Sequence, residues 1–197
     1  MSGKCIDPFV DGFRDEFSSN HRELIANRVA ESAENSISSV MKPNATLETP
    51  FDDMRTLKMH KNIGKGAFGS VMLCHTSQSD DSYSVKACED PWMKELIITQ
   101  LLREELVRRN ASQMLKYFSI IDYGVSLADY ATTLYISKYI DGGTLVDLIE
   151  FYDTANKSLS RIVLTVLCCE ITKIIDCLHE MRIIHLDIKT DNLMLRK

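Results

Sequence analysis

Apolar and polar positions are unevenly spread along this chain. Over the first fifty or so residues apolar positions are sparse, Ser and Asn are frequent from Ser32 to Asn44, and Pro43 and Pro50 interrupt the stretch. Only Val10, Phe13 and Phe17 fall at helical spacing there. Residues 1–55 read as a partly ordered extension able to lie against the domain beside it, the competing reading being a disordered tail. From Met59 the pattern becomes domain-like. Residues 58–63, 70–76 and 83–88 predict short strands with turn residues between them. Pro91 suits the first turn of a helix, which Leu96, Ile97, Leu101 and Leu102 continue. Two further strands are expected near 116–123 and 132–138. Asp141, Gly142 and Gly143 form a turn, and Thr144 is placed to cap a helix running to about Tyr152. A longer helix is expected over about 161–181, where Leu164, Leu167, Ile171, Ile174 and Leu178 recur at spacings of three and four and predict one buried face. A polar loop from His185 to Asn192 comes next, then the apolar Leu193, Met194 and Leu195. A sheet-rich part with one helix, followed by a helical part, is an α+β arrangement.

Composition narrows the classes further. A chain of 197 residues is long enough for one ordinary core. A hydrophobic content of 45% and a charged content of 26% are those of a soluble globular protein. The formal net charge of -5 leaves no basic footprint, which argues against nucleic acid as a partner. The most apolar run, Ile162 to Cys169, ends at Glu170, far short of the roughly 20 apolar residues of a membrane span, so no membrane association is expected. Lys4, Asp7 and Asp11 stand where a secretory signal needs apolar residues. Cys5, Cys74, Cys88, Cys168, Cys169 and Cys177 form no C-x-x-C and have no histidines spaced around them for zinc. They read as reduced, small apolar residues of a cytosolic or nuclear protein.

Three motifs carry chemistry. Gly64, Gly66, Gly69 and Val71 stand in the pattern G-x-G-x-x-G-x-V. Glycines let a backbone turn tightly and approach phosphates with no Cβ in the way. Here the glycines are followed by a β-like run, Ser70 to Cys74, rather than by a helix, so the arrangement is strand, glycine loop, strand. Lys86 lies on the next predicted strand in Ser84-Val85-Lys86, and Glu95 lies early in the following helix as an acidic partner for it, ahead of Glu104 and Glu105. His185, Asp187, Lys189 and Asn192 match H-x-D-x-K-x-x-N.

In this order and at these distances the motifs resemble those of eukaryotic-type protein kinases, over roughly residues 55–197. The resemblance implies a protein-kinase-like fold with a small β-rich N-lobe over 56–139 and the first helices of the C-lobe over 140–197. It implies ATP and Mg2+ as cofactors and a protein substrate. Gly64, Gly66, Gly69 and Val71 would cover the nucleotide. Lys86, held by Glu95, would contact the α- and β-phosphates. Asp187 would take the proton of the substrate hydroxyl, Lys189 would neutralise the transferring phosphoryl group, and Asn192 would bind a magnesium ion. Asp187-x-Lys189 is the serine/threonine form of the loop. Tyr135 to Leu145 resembles the kinase hinge, with Ser137 as gatekeeper and Ile140 offering backbone groups to adenine.

Local stretches are similar to the spindle-assembly-checkpoint kinases of the BUB family. These are Pro91-Trp92 with Thr99-Gln100-Leu101, Gly143-Thr144-Leu145 with Leu148, Ile149 and Tyr152, and Ile184-His185 with Asp187-Ile188-Lys189. Pro8-Phe9 and Phe13 resemble that family's segment wrapping the small lobe. This resemblance implies kinetochore or checkpoint proteins as partners and a nuclear, kinetochore location, cytoplasmic otherwise. Leu186 departs from the pattern: Arg is usual there and Gly in the BUB family. An arginine at that position pairs with an activation-loop phosphate, so independence from such a phosphate is expected. Five residues follow Asn192 and no D-F-G is among them, so the 197-residue chain alone is expected to be inactive, a truncated kinase. The competing reading is a truncated or pseudokinase-like interaction module without catalysis, and intact Lys86, Asp187 and Asn192 argue against it. A small-molecule phosphotransferase is a third class, disfavoured by Lys189 and the glycine loop.

Overall fold

The computed structural model describes residues 26–32, 36–66, 69–89, 93–127 and 132–196. Val10, Phe13 and Phe17, the Pro8-Phe9 pair, Cys5, Ala67 and Phe68, and Pro91-Trp92 lie outside the described residues. One compact unit takes in the described residues up to Glu104 together with Ser119–Lys138, and a second takes in Glu105–Phe118 and the described residues from Tyr139 onward.

The first unit is built on a seven-stranded sheet. Its strands are β1 (Val29–Ser32), β2 (Thr46–Glu48), β3 (Thr56–Gly66), β4 (Gly69–Thr76), β5 (Ser82–Cys88), β6 (Ile121–Leu127) and β7 (Thr133–Lys138), in the order β1-β6-β7-β5-β4-β3-β2. β1 runs parallel to β6, with Val29 opposite Gly124, and the other pairings are antiparallel. β5 shows why the sequence chooses this form. Tyr83, Val85 and Ala87 are buried while Ser82, Ser84, Lys86 and Cys88 are half-buried, the alternation a pleated strand imposes. The buried side joins Met59, Met72, Cys74, Leu134 and Ile136 in the main core.

Residues before the glycine motif contribute to that core. Val40, at the end of the short helix α1 (Ile37–Val40), and Leu47, Phe51 and Met54 are all buried in it. The helix α2 (Lys94–Arg108) packs Leu96 into a second cluster with Ile121 and Tyr135, against which Val29 of β1 also lies. α2 is tied to β6 by polar bonds as well. Gln100 is buried and donates its side-chain Nε2 to the Ile121 carbonyl, and the Ile121 N–H donates to Thr99 Oγ1.

The second unit is helical. α3 (Leu145–Thr154) and α4 (Arg161–Glu180) begin at Thr144 and Ser160, whose hydroxyls accept from the N–H groups of Asp147 and Val163 and so satisfy donors the first turn leaves open. Two expectations need correction. The strand expected near 116–123 is β6 at Ile121–Leu127, and Ser112–Tyr117 forms 3-10 turns instead. α2 ends at Arg108, the chain turns at Asn110, whose φ is 57°, and it then closes short-range bonds such as Met114 N–H to Ala111 O, leaving Leu115 to Tyr117 out of the sheet. The face expected to be buried on the long helix is buried only at Leu178. Leu164 is exposed, and Leu167, Ile171 and Ile174 are half-buried.

Candidate active site

β3 and β4 form a hairpin whose closing residues pair as Gly64 with Val71, Lys65 with Ser70 and Gly66 with Gly69. The glycine motif is therefore the end of this hairpin. A Cβ built on Gly64 would come no nearer than 3.8 Å to Val71, so none of the described residues demands glycine there. The Asn62 side chain fixes the approach to the turn, accepting from the Gly64 N–H at 3.1 Å and donating to Ser70 Oγ at 2.9 Å.

Val71 stands opposite Lys86 across β4 and β5. Opposite residues of an antiparallel pair share a face, so Val71, Lys86 and Ser84 all lie on the half-buried side of the sheet, away from the main core. Lys86 Nζ donates to both oxygens of Glu95, at 2.9 and 2.8 Å. Glu95 is in the first turn of α2, and the Leu96, Thr99 and Gln100 anchors hold that helix against β6. Glu105 serves elsewhere: bonds from Arg108 and Arg109 hold its carboxyl down at about 2. Ser84 and Ser137 face each other across β5 and β7, and their hydroxyl oxygens are 3.0 Å apart.

In the second unit the loop after α4 gathers the remaining polar residues. Lys189 Nζ lies 3.1 Å from Asp187 Oδ2. Asn192 Nδ2 donates to the same oxygen and to the Asp187 carbonyl, both at 2.8 Å. These bonds, that from Lys189 first, hold the Asp187 carboxyl below the usual carboxylate range, so it is ionised and able to accept a proton. The Asn192 amide hydrogens are spent on Asp187, which leaves its side-chain oxygen, a hard ligand suited to magnesium, as the other end. A short 3-10 turn over Thr190–Asn192 brings Asn192 back toward Asp187.

Beyond Asn192 the chain is held by the turn before α3. The Leu145 N–H donates to Leu193 O and the Leu195 N–H to Gly143 O, both at 2.8 Å. Both glycines are required there. A Cβ on Gly142 would lie 2.2 Å from the Leu195 carbonyl oxygen, and Gly143 has φ of 77°. Ile140 is half-buried, between the end of β7 and this turn. Sequence reading missed the roles of Gly142 and Gly143 in holding the loop; the Asp-Gly-Gly run was the signal for them.

Residues 57–197 match the protein kinase domain family. The serine/threonine-protein kinase STE20 of Candida glabrata is 30% identical over 135 residues, covering 68% of this chain and 13% of that protein. The serine/threonine-protein kinase Nek8 of Danio rerio is 30% identical over 148 residues, covering 73% of this chain and 20% of that protein. The crystal structure of the BubR1 kinase domain superposes with a TM-score of 0.78 at 27% identity, covering 98% of this chain and 56% of that one. The chain thus spans a minor part of the two curated relatives and about half of the solved kinase domain.

Proposed function

The chain belongs to the protein kinase domain family, and on that premise we propose that it is the nucleotide-binding part of a serine/threonine kinase acting in spindle checkpoint signalling. The observation that carries the catalytic part is the paired Lys86 and Glu95, at 2.8 Å. An ammonium fixed by a carboxylate is a preorganised cation for phosphate oxygens, and preorganised charge needs no rearrangement when the ligand arrives. Gly64, Gly66, Gly69 and Val71 would cover the ATP phosphates, and the Ile140 backbone would meet adenine. Asn192 would hold magnesium through its side-chain oxygen; the metal, when bound, neutralises phosphate charge. Asp187 would accept the proton of a substrate Ser or Thr hydroxyl, with Lys189 close by to meet the transferring phosphoryl group. The checkpoint, kinetochore and nuclear assignments draw on the similarity to the BubR1 kinase domain.

The test is Mg-ATP binding by the 197-residue chain, measured calorimetrically beside Lys86→Met, with phosphoryl transfer to a Ser/Thr peptide measured on the full-length protein. Saturable binding that Lys86→Met weakens, with transfer lowered roughly a hundredfold or more by Asp187→Asn, is the expected result. No binding of Mg-ATP by a folded wild-type chain would leave the interaction-module reading instead.

A further inference from the structure

Two histidines outside the catalytic residues meet on the open face of the sheet. His75 is on β4 between the buried Cys74 and Thr76, so its side chain stands on the opposite, exposed side. His60 is on β3 where the ladder slips: Met59 pairs with Cys74 and Lys61 with Leu73, leaving His60 as the extra residue of a bulge. A bulge re-aims the side chain it carries, and here the two imidazole rings come to 5.7 Å between centroids, tilted by 56°. His75 Nδ1 lies 3.2 Å from the Ser82 hydroxyl on the neighbouring β5. That bond engages Nδ1, turns the ring and leaves Nε2 as the nitrogen to meet a ligand. An oxygen partner on the far nitrogen is the usual companion of a metal-binding histidine.

The spacing suits one shared ion. Metal–nitrogen bonds of about 2.0–2.1 Å to two imidazoles set in a wide angle put the ring centres between roughly 5 and 6 Å apart. Among the described residues no group of three or more His, Cys, Asp or Glu is gathered for a metal, so solvent would complete the shell. Lys58 stands opposite His75 in the ladder and is exposed; its long stem lets the ammonium swing into water. We propose that His60 and His75, with Ser82 orienting the second, form a two-histidine site for a borderline divalent cation of the zinc class. Occupancy would tie β3 to β4, the two strands whose hairpin ends in the glycine motif.

The experiment is calorimetric titration of the full chain with zinc ion alone, beside His60→Ala, His75→Ala and Ser82→Ala. All three side chains lie on the open face, and circular dichroism checks that each variant folds. The expected result is one zinc bound by wild type, a binding event missing from both histidine variants, and an affinity roughly tenfold lower in Ser82→Ala. An isotherm left unchanged by His60→Ala or by His75→Ala, as binding through the chain's cysteines would give, overturns the proposal. So does a wild-type chain that takes up no zinc.

Discussion

Leu186, between His185 and Asp187, has φ of 63° and is 89% exposed. A side chain in that backbone region is crowded by its own carbonyl, at about 1–2 kcal/mol for a residue other than glycine, and exposure this large means the leucine recovers almost nothing by burial. Set against about 0.4–1 kcal/mol for the freer unfolded glycine chain, Leu186→Gly should leave the protein more stable by about 0.5–1 kcal/mol. Urea denaturation of the two proteins measures it, and a glycine variant less stable than wild type would mean that Leu186 makes contacts worth more than its strain. At the same scale, the choice among Glu95, Glu104 and Glu105 as partner for Lys86 was legible from position, since only the first lies in the opening turn of α2. The destination of Glu105 was not legible, because its arginines are its own near neighbours, Arg108 in the last turn of α2 and Arg109 just past it, and charges three and four apart describe any solvated helix face.

At the scale of elements, capping decides where α3 begins. Thr144 Oγ1 accepts from the Asp147 N–H at 3.2 Å, and Asp147 Oδ2 accepts from the Thr144 N–H at 2.6 Å and from its hydroxyl at 2.8 Å. Thr144→Ala removes one side of this box and should cost about 1 kcal/mol. The backbone bond from Thr144, then the hydroxyl bond, hold the Asp147 carboxyl below its ordinary value. A lowered folded-state pKa means that its contribution is present above the unfolded value and is lost as pH falls through the folded one. The stability gap between wild type and Thr144→Ala should accordingly narrow as the pH is taken from 7 to below about 4. A gap that stays constant over that range would mean that the Thr144 hydroxyl adds nothing to the hold on Asp147, since the alanine variant keeps the bond from the backbone N–H. This cap was readable in the sequence, as were the strands that became β3, β4 and β5, because local chemistry fixes each. The readings that failed depended on neighbours. Leu115, Tyr117 and Phe118 have strand-like side chains but pair with no strand among the described residues, and Thr46-Leu47-Glu48 is too short to stand out until it pairs with β3. The place of Val29 beside β6 comes from a pairing nearly a hundred residues away in sequence.

Across the whole molecule the two units differ in how much they bury. The first holds Leu47, Leu57, Met59, Met72, Val85, Leu134, Tyr135 and Ile136 at or near full burial, all within or beside one sheet. In the second, Leu106, Leu145 and Leu178 are the buried apolar residues among those described, and the opening turns of α4 leave Ile162 78% exposed and Val166 55% exposed. An isolated helix is marginal in water, and most of its stability in a protein comes from packing its apolar face. α4 has that packing near Leu178 and lacks it near Ile162. Hydrogen exchange of the 197-residue chain should follow the same division. Amides of β4, β5 and β7 should open only with the sheet itself, whereas those from Leu164 to Cys169 should exchange by local opening, with protection at least roughly a hundredfold lower. Protection should rise again along α4 toward Leu178. Equal protection in β5 and in the first half of α4 would show that something other than packing within the monomer holds the helix, and the exposed apolar residues would then be covered in solution, by self-association of the chain. Ile162→Glu and Val166→Glu distinguish the cases. They leave the monomer's core untouched, so a drop in helix protection caused by them, together with a fall in apparent mass at equal concentration, identifies association as the cause.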